Sequence, residues 1–341
     1  MKAKLTSKAD TAATRNWLWR AQHYLREVIN SLLRIGILLV ILIGLASAAP
    51  IKNDFDLAGS LVPEDEILSG GPPRDGIPSI DRPKFLSVSK ADYIKPTDRV
   101  LGISRNGVVK AYPIAILNFH EIVNDRFGDE PLVVTFCPLC GSGMAFLTDK
   151  NNMNLLFGVS GLLYNSDVLL YDRQTNSLWS QLMRTAISGK LKGQRLTQVP
   201  LDYTTWADWK QRYPNTLVLS QDTGFRRDYK TNPYDDYLTS EHIMFPVKFR
   251  SQGFHPKELV IGLQIDGKFK AYPFAELAKQ VTNKDNEIRD SVAGKSIVIR
   301  YNAEHRTGTV FDTSGKPLSS TTVFWFAWFG FHPDTAIYRS K

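Results

Sequence analysis

The scarcest reactive side chain in this chain is cysteine: 341 residues hold two, Cys137 and Cys140. So few thiols exclude a disulfide-stapled scaffold. Positive charge is scarcer than the formal net of +8 implies. Residues 1–34 carry +5 of it, and the +3 left over is too little for a phosphate-tracking surface, so no nucleic-acid partner is expected. Long apolar runs are missing as well, since Ile35 to Leu45 falls short of the ~20 residues of a membrane-spanning helix. Neither a P-loop nor Gly-x-Gly-x-x-Gly, His-Glu-x-x-His or Gly-x-Ser-x-Gly occurs, so the chemistries those motifs carry have no local signature here.

What is present begins with a basic leader. Arg34 precedes the apolar stretch, and Ala46-Ser47-Ala48 fits a small-x-small cleavage site. Residues 1–49 therefore read as a signal peptide or an N-terminal membrane anchor, with Trp17 and Trp19 suited to a bilayer interface. The basic flank stays cytoplasmic and the rest is exported, which places the protein in the periplasm or on the extracytoplasmic face of the membrane. Residues 50–84 are rich in proline and glycine and read as a linker or arm. Residues 85–341 follow as one domain.

That domain repeats itself. Val100-Leu101-Gly102-Ile103 through Lys110-Ala111-Tyr112-Pro113 recurs, 160 residues later, as Val260-Ile261-Gly262-Leu263 through Lys270-Ala271-Tyr272-Pro273. Each copy has a hairpin signal, Asn106-Gly107 or Asp266-Gly267. A helix is predicted next over Ile114–Val123 and Phe274–Val281, then a buried strand at Val133–Phe136 and Ile297–Ile299. The expected fold is α+β: a pseudo-symmetric core of two related ββαβ units, about 99–147 and 259–312, with a β-rich insertion between them. Thr204–Tyr213 reads as a capped helix ended by Pro214, Arg226–Tyr237 as loop, and Val323–Phe329 as a central strand.

The copies differ where chemistry would sit. His120 falls on Gln280, Cys137 near Tyr301, and Cys140 near Glu304 or His305. Cys137-Pro138-Leu139-Cys140-Gly141 follows a strand and has the form of a metal knuckle. His120 would add an imidazole and leave one coordination position open, for which Glu121 and His305 are candidates. Met144 could offer a thioether, although its apolar neighbours favour packing. Sulfur favours copper or zinc over a hard cation. The pair also reads as a dithiol of the strand-then-Cys-Pro-x-Cys type, but Gly141-Ser142-Gly143 interrupts the helix that would activate the first thiol. Asp172-Arg173 and Ser180-Gln181 bracket a turn as structural or cleft-side polar groups.

Several stretches together resemble one family. They include Gly70-Gly71-Pro72-Pro73 with Asp75-Gly76-Ile77-Pro78, Ala111-Tyr112-Pro113, His120-Glu121-Ile122-Val123-Asn124-Asp125, the cysteine turn and Ser160–Asp167. Tyr171–Thr175, Ser177–Gln181 and Phe331-His332-Pro333-Asp334-Thr335 complete the set. From about residue 70 to about 338 the chain is similar to the exported prokaryotic domain-of-unknown-function family 3179. The resemblance implies that His120-Glu121 and the cysteine turn belong to the family's pattern, and it assigns no activity.

Three readings stay open. The leading one is an extracytoplasmic metal-binding protein, in one form a redox metalloenzyme, with Cys137, Cys140 and His120 as ligands, His305 as a further ligand and Glu121 as orienter or general base. The second is a thiol-disulfide oxidoreductase in which Cys137 attacks and Cys140 resolves. The third is a non-catalytic module that binds a ligand or partner. A small-molecule substrate or a redox partner is expected with the first two.

Overall fold

The computed structural model describes residues 17, 19–34, 51–150, 152–281 and 286–340. The chain divides into two units, 1–49 and 50–341. In the first, residues 19–34 form a helix whose Leu25, Val28, Ile29, Leu32 and Leu33 are exposed along one stripe. The apolar segment 35–49 lies outside the described residues. Among the described residues no helix is long and apolar enough to cross a membrane.

The second unit is mixed α and β, mostly sheet, with its strands in several small sheets. Both predicted hairpins form. Arg99–Arg105 pairs with Val108–Pro113, and Leu259–Ile265 with Lys268–Pro273, with Gly102 opposite Ala111 and Gly262 opposite Ala271. Asn106-Gly107 and Asp266-Gly267 all have positive φ, the backbone a tight two-residue hairpin turn needs. Each hairpin gains an antiparallel neighbour, Asp202–Thr205 or Ser320–Phe324, and a parallel one, Leu217–Leu219 or Ala336–Ile337.

The predicted helices are shorter than expected. Only Ile114–Leu117 and Phe274–Leu277 are helical. In the first, Glu121 takes φ 58° and its N–H returns to Leu117 O, which closes the turn and ends the helix. Ile122 and Val123 belong instead to a strand, Ile122–Phe127, which heads a meander with Glu130–Cys137 and Ser142–Leu147. The corresponding meander is Glu287–Val292, Lys295–Asn302 and Thr307–Asp312.

The aromatic run near the C-terminus also corrects the expectation. The strand stops at Phe324, and Trp325–Phe331 is a helix in which Trp325, Phe326, Ala327 and Trp328 are all buried. Trp328 lies over Gly262, where a Cβ would come within 2.2 Å of the ring, and its indole N–H donates to Thr335 Oγ1. Trp209, in the helix Trp206–Arg212, does the same over Gly102 and donates to Thr216.

Between the two hairpin-and-meander segments lies an inserted sheet. Its strands are Phe157–Tyr164, Asp167–Asp172, Leu178–Ser180 and Thr185–Ser188, with Ile67–Ser69 at the far edge. Residues 51–84 thus include a strand of that sheet. The main apolar core runs from the cysteine turn through Phe157 and Trp179 to Trp325 and Trp328. Residues 223–257 carry only one short helix, Asp235–Thr239, and Tyr237 of that helix donates its hydroxyl to Leu139 O.

Candidate metal centre

Alternation along Glu130–Cys137 sends Phe136 into one apolar cluster and Cys137 into another. Pro138-Leu139-Cys140-Gly141 then turns the chain so that Cys137 pairs with Ser142 on the next strand. Gly141 has φ 58°, and a Cβ there would meet the Phe324 ring at 2.7 Å, so only glycine fits. Both cysteines are free thiols and are buried, with 1% and 0% of their surface exposed.

The third member comes from the inserted sheet. Asn165-Ser166, both with positive φ, turn the hairpin Phe157–Tyr164/Asp167–Asp172. Asn165 fixes this turn from both sides, donating to Gly330 O at 2.7 Å and accepting from Lys248 N–H at 2.6 Å. The turn aims Ser166 O at the sulfurs: Cys140 Sγ donates to it at 3.2 Å, and Cys137 Sγ stands 3.9 Å away. Asp167 follows, with 0% exposure, and ligand atoms of Cys137, Cys140 and Asp167 all lie within 4.8 Å of one another. Asp167 Oδ2 accepts from Leu182 N–H, whereas Oδ1 is buried without a hydrogen-bond partner. Ser166 Oγ is buried and unpartnered too. A buried carboxyl oxygen left unpaired is costly whether it carries the proton or the charge, so this one calls for an occupant.

Burial holds the acid groups protonated. It pushes Asp167 up to about 8, and Glu121 up to about 8 with Asp167 adding to the effect. The Cys140 thiol is raised by the same desolvation and by Cys137, Asp167 and Glu121. Glu121 is nearly buried and sits in the left-handed backbone region, a strained placement for a glutamate.

His120 is not part of this group. Its ring is buried, and both nitrogens are committed: Nδ1–H donates to Pro78 O at 2.7 Å, and Nε2 accepts from the Tyr229 hydroxyl at 2.6 Å. Burial lowers its pKa. His305 is elsewhere as well. In strand register it occupies the place in the second meander that Cys140 holds in the first, with Asn302 in the place of Cys137. There Asn302 Oδ1 accepts from His305 N–H, and His305 Nδ1 meets Thr205 Oγ1 at 2.9 Å. Met144 is buried in the apolar core. Asp172 accepts from Trp179 Nε1, and Gln181 ties Thr135 to Ser142 beneath the turn, so both are structural.

Asp167 is the member of the group that sequence spacing does not single out. Its signal is an acid immediately after the Asn-Ser turn of an apolar hairpin whose one other charge, Asp172, lies at the far end, a position with no reason to be charged for packing alone. Beside the site a cavity of about 530 Å³ is lined by Phe136, Pro138, Gly141, Tyr229, Tyr234 and Phe324 among others. Tyr234 lies within electrostatic reach of Glu121 and Cys137.

The family model described as Protein of unknown function (DUF3179) matches residues 74–335, and the chain belongs to that family. No curated protein and no solved structure matches the chain.

Proposed function

We propose that this protein is an extracytoplasmic metal-binding protein that holds copper or zinc through Cys137, Cys140 and Asp167. The observation that carries the reading is the buried Asp167 Oδ1, which has no partner and lies with two thiols inside a 4.8 Å group. Two sulfurs and a carboxylate suit a borderline or soft ion, and three protein ligands leave a position for water or substrate. Glu121 stands in electrostatic range of the group as its orienter, and would serve as general base once a bound cation's charge draws its raised pKa down. When bound, the ion would supply Lewis-acid or one-electron chemistry. The chain's own residues exclude bulk water, keep Ser166 O against the sulfurs and present the 530 Å³ cavity to a small-molecule substrate or redox partner. The basic, apolar leader supports export, with the N-terminal segment at the membrane.

The unit 50–341 is further proposed to have arisen by duplication, giving a pseudo-symmetric pair of related ββαβ-type halves. Matching hairpin registers support this, as do tryptophans seated on Gly102 and Gly262. The sequence pairs Trp206-x-x-Trp209 through Pro214-Asn215-Thr216 with Trp325-x-x-Trp328 through Pro333-Asp334-Thr335.

A dithiol oxidoreductase is the second reading, favoured by two thiols sharing one acceptor carbonyl. Against it, a strand rather than a helix follows the turn, and burial raises the Cys140 thiol. Metal analysis of protein purified from its native compartment separates the two. The metal reading expects about one ion per chain in wild type and loss in Cys137→Ser and Asp167→Asn. A metal-free wild type would overturn it.

A further inference from the structure

On the far side of the Asn165-Ser166 turn, Asn165 and Leu182 border a second open cavity, of about 480 Å³. Arg184, Arg195, Lys248 and His332 line it together with Phe249 and Phe269, and among the described residues no Asp or Glu does. Lys248 is answered from outside by Glu66 at 3.2 Å. Among the described residues no carboxylate answers Arg184. Its guanidinium, partly buried, donates to the neutral amide oxygens of Gln198 and Gln264. Arg195 is exposed at the cavity edge, and it is close enough to Arg184 to repel it. Desolvating a guanidinium beside a like charge is unfavourable, and two carboxamides orient the group without neutralising it.

The backbone adds an independent observation. Arg184 adopts φ 56°, in the left-handed region, in the tight turn between Leu178–Ser180 and Thr185–Ser188. A long β-carbon side chain is strained there, where glycine or asparagine would be at ease. The turn therefore places an uncompensated cation in the cavity at two separate costs. His332 lies flat on Phe269, with ring centroids 3.9 Å apart, and so gives the cavity a rigid aromatic floor.

We infer that this cavity is a binding site for a small oxyanion, a carboxylate or phosphate group attached to an apolar or aromatic body. Arg184 and Arg195 pair with the oxyanion, and Phe249 and Phe269 cover the body. Arginine's planar fork suits either oxyanion. The site stands apart from the Cys137–Cys140–Asp167 group and does not depend on a metal there.

The test is calorimetric titration of the full-length chain with sodium benzoate and, separately, with inorganic phosphate, each with and without chelator. At least one probe should bind saturably in both conditions and raise the melting temperature. Arg184→Gln should weaken that binding about tenfold or more while melting no lower than wild type, because it removes a partly desolvated charge that no ion pair offsets and keeps an amide donor for the glutamines. The probe that saturates names the oxyanion. Absence of binding by both probes, or equal binding by wild type and Arg184→Gln, would overturn the inference. Should Arg184→Gln fail to fold, the exposed Arg195→Gln decides it by the same criterion.

Discussion

Two neighbouring residues, His120 and Glu121, show how much rests on the direction of one side chain. Both were drawn to the thiols by sequence distance, yet His120 turns to Pro78 and Tyr229 while Glu121 remains in electrostatic range of Asp167 and Cys140. Replacing His120 with Phe is predicted to leave metal content unchanged and to lower stability by about 1–3 kcal/mol, because the Pro78 carbonyl loses its imidazole donor and the Tyr229 hydroxyl keeps only Thr223. Urea unfolding alongside metal analysis checks both halves. Asp167→Asn should do the reverse, keeping the Leu182 N–H contact but weakening metal binding about a hundredfold or more in a chelator competition.

A third residue carries a pH dependence. Burial, then the Arg184 charge, lowers His332 from 6.5 to about 4. Arg195 and Lys248 line the same cavity and share Arg184's sign. Above 6.5 the ring is neutral folded and unfolded, so it contributes no penalty. As pH falls from 6.5 towards 4, the unfolded chain takes up the proton first and stability falls; below about 4 the loss is complete. With screening at this partly exposed ring, the loss should be about 1–2 kcal/mol. His332→Phe should flatten that part of the stability-pH curve while leaving the carboxylate-driven part intact.

At the scale of elements, the paired helices Trp206–Arg212 and Trp325–Phe331 are defined by what their tryptophans cover. Gly102→Ala would bring a Cβ within 2.4 Å of the Trp209 ring, in a core with no room to yield. A loss of about 1–3 kcal/mol is expected in denaturant titration. Gly267→Ala, with φ 76° and open space around it, should cost only the backbone strain of about 1–2 kcal/mol.

The same elements explain what could be read beforehand. Asn-Gly and Asp-Gly turns set the hairpins because few residues tolerate that backbone, so local chemistry alone decides them. Ile114–Val123 misled because its apolar residues are divided between a one-turn helix and a strand, and a short run satisfies either period. Val323–Phe329 misled because a helix buried on all sides lacks a polar face to betray its period. The proline and threonine that follow, matching those after Trp209, were the usable clue. Cys137 and Cys140 were legible by rarity, whereas Asp167 depended on a long-range approach of the inserted sheet that no local pattern encodes.

Across the whole molecule, the inserted sheet breaks the likeness of the two hairpin-and-meander segments at the point where the site forms. Trp209 and Thr216 precede Trp328 and Thr335 by 119 residues, against 160 for the hairpins, so the first segment holds 41 residues that the second lacks. Those residues deliver Asp167 to the thiols. The second meander closes its turn with Asn302 and His305 and needs no acid. One segment with thiols and an added carboxylate, the other with a self-satisfied hydrogen bond, is the arrangement expected if only one carries chemistry.

X-ray absorption at the metal edge of the natively purified protein tests this most directly. A first shell with two sulfur scatterers at about 2.3 Å and an oxygen scatterer at about 2.0–2.2 Å is predicted. In variants reloaded with metal, the sulfur contribution should fall by about half in Cys137→Ser, and the oxygen contribution should shrink in Asp167→Asn to that of the remaining water or amide. A shell of nitrogen and oxygen alone, or a spectrum unchanged by both substitutions, would contradict the account.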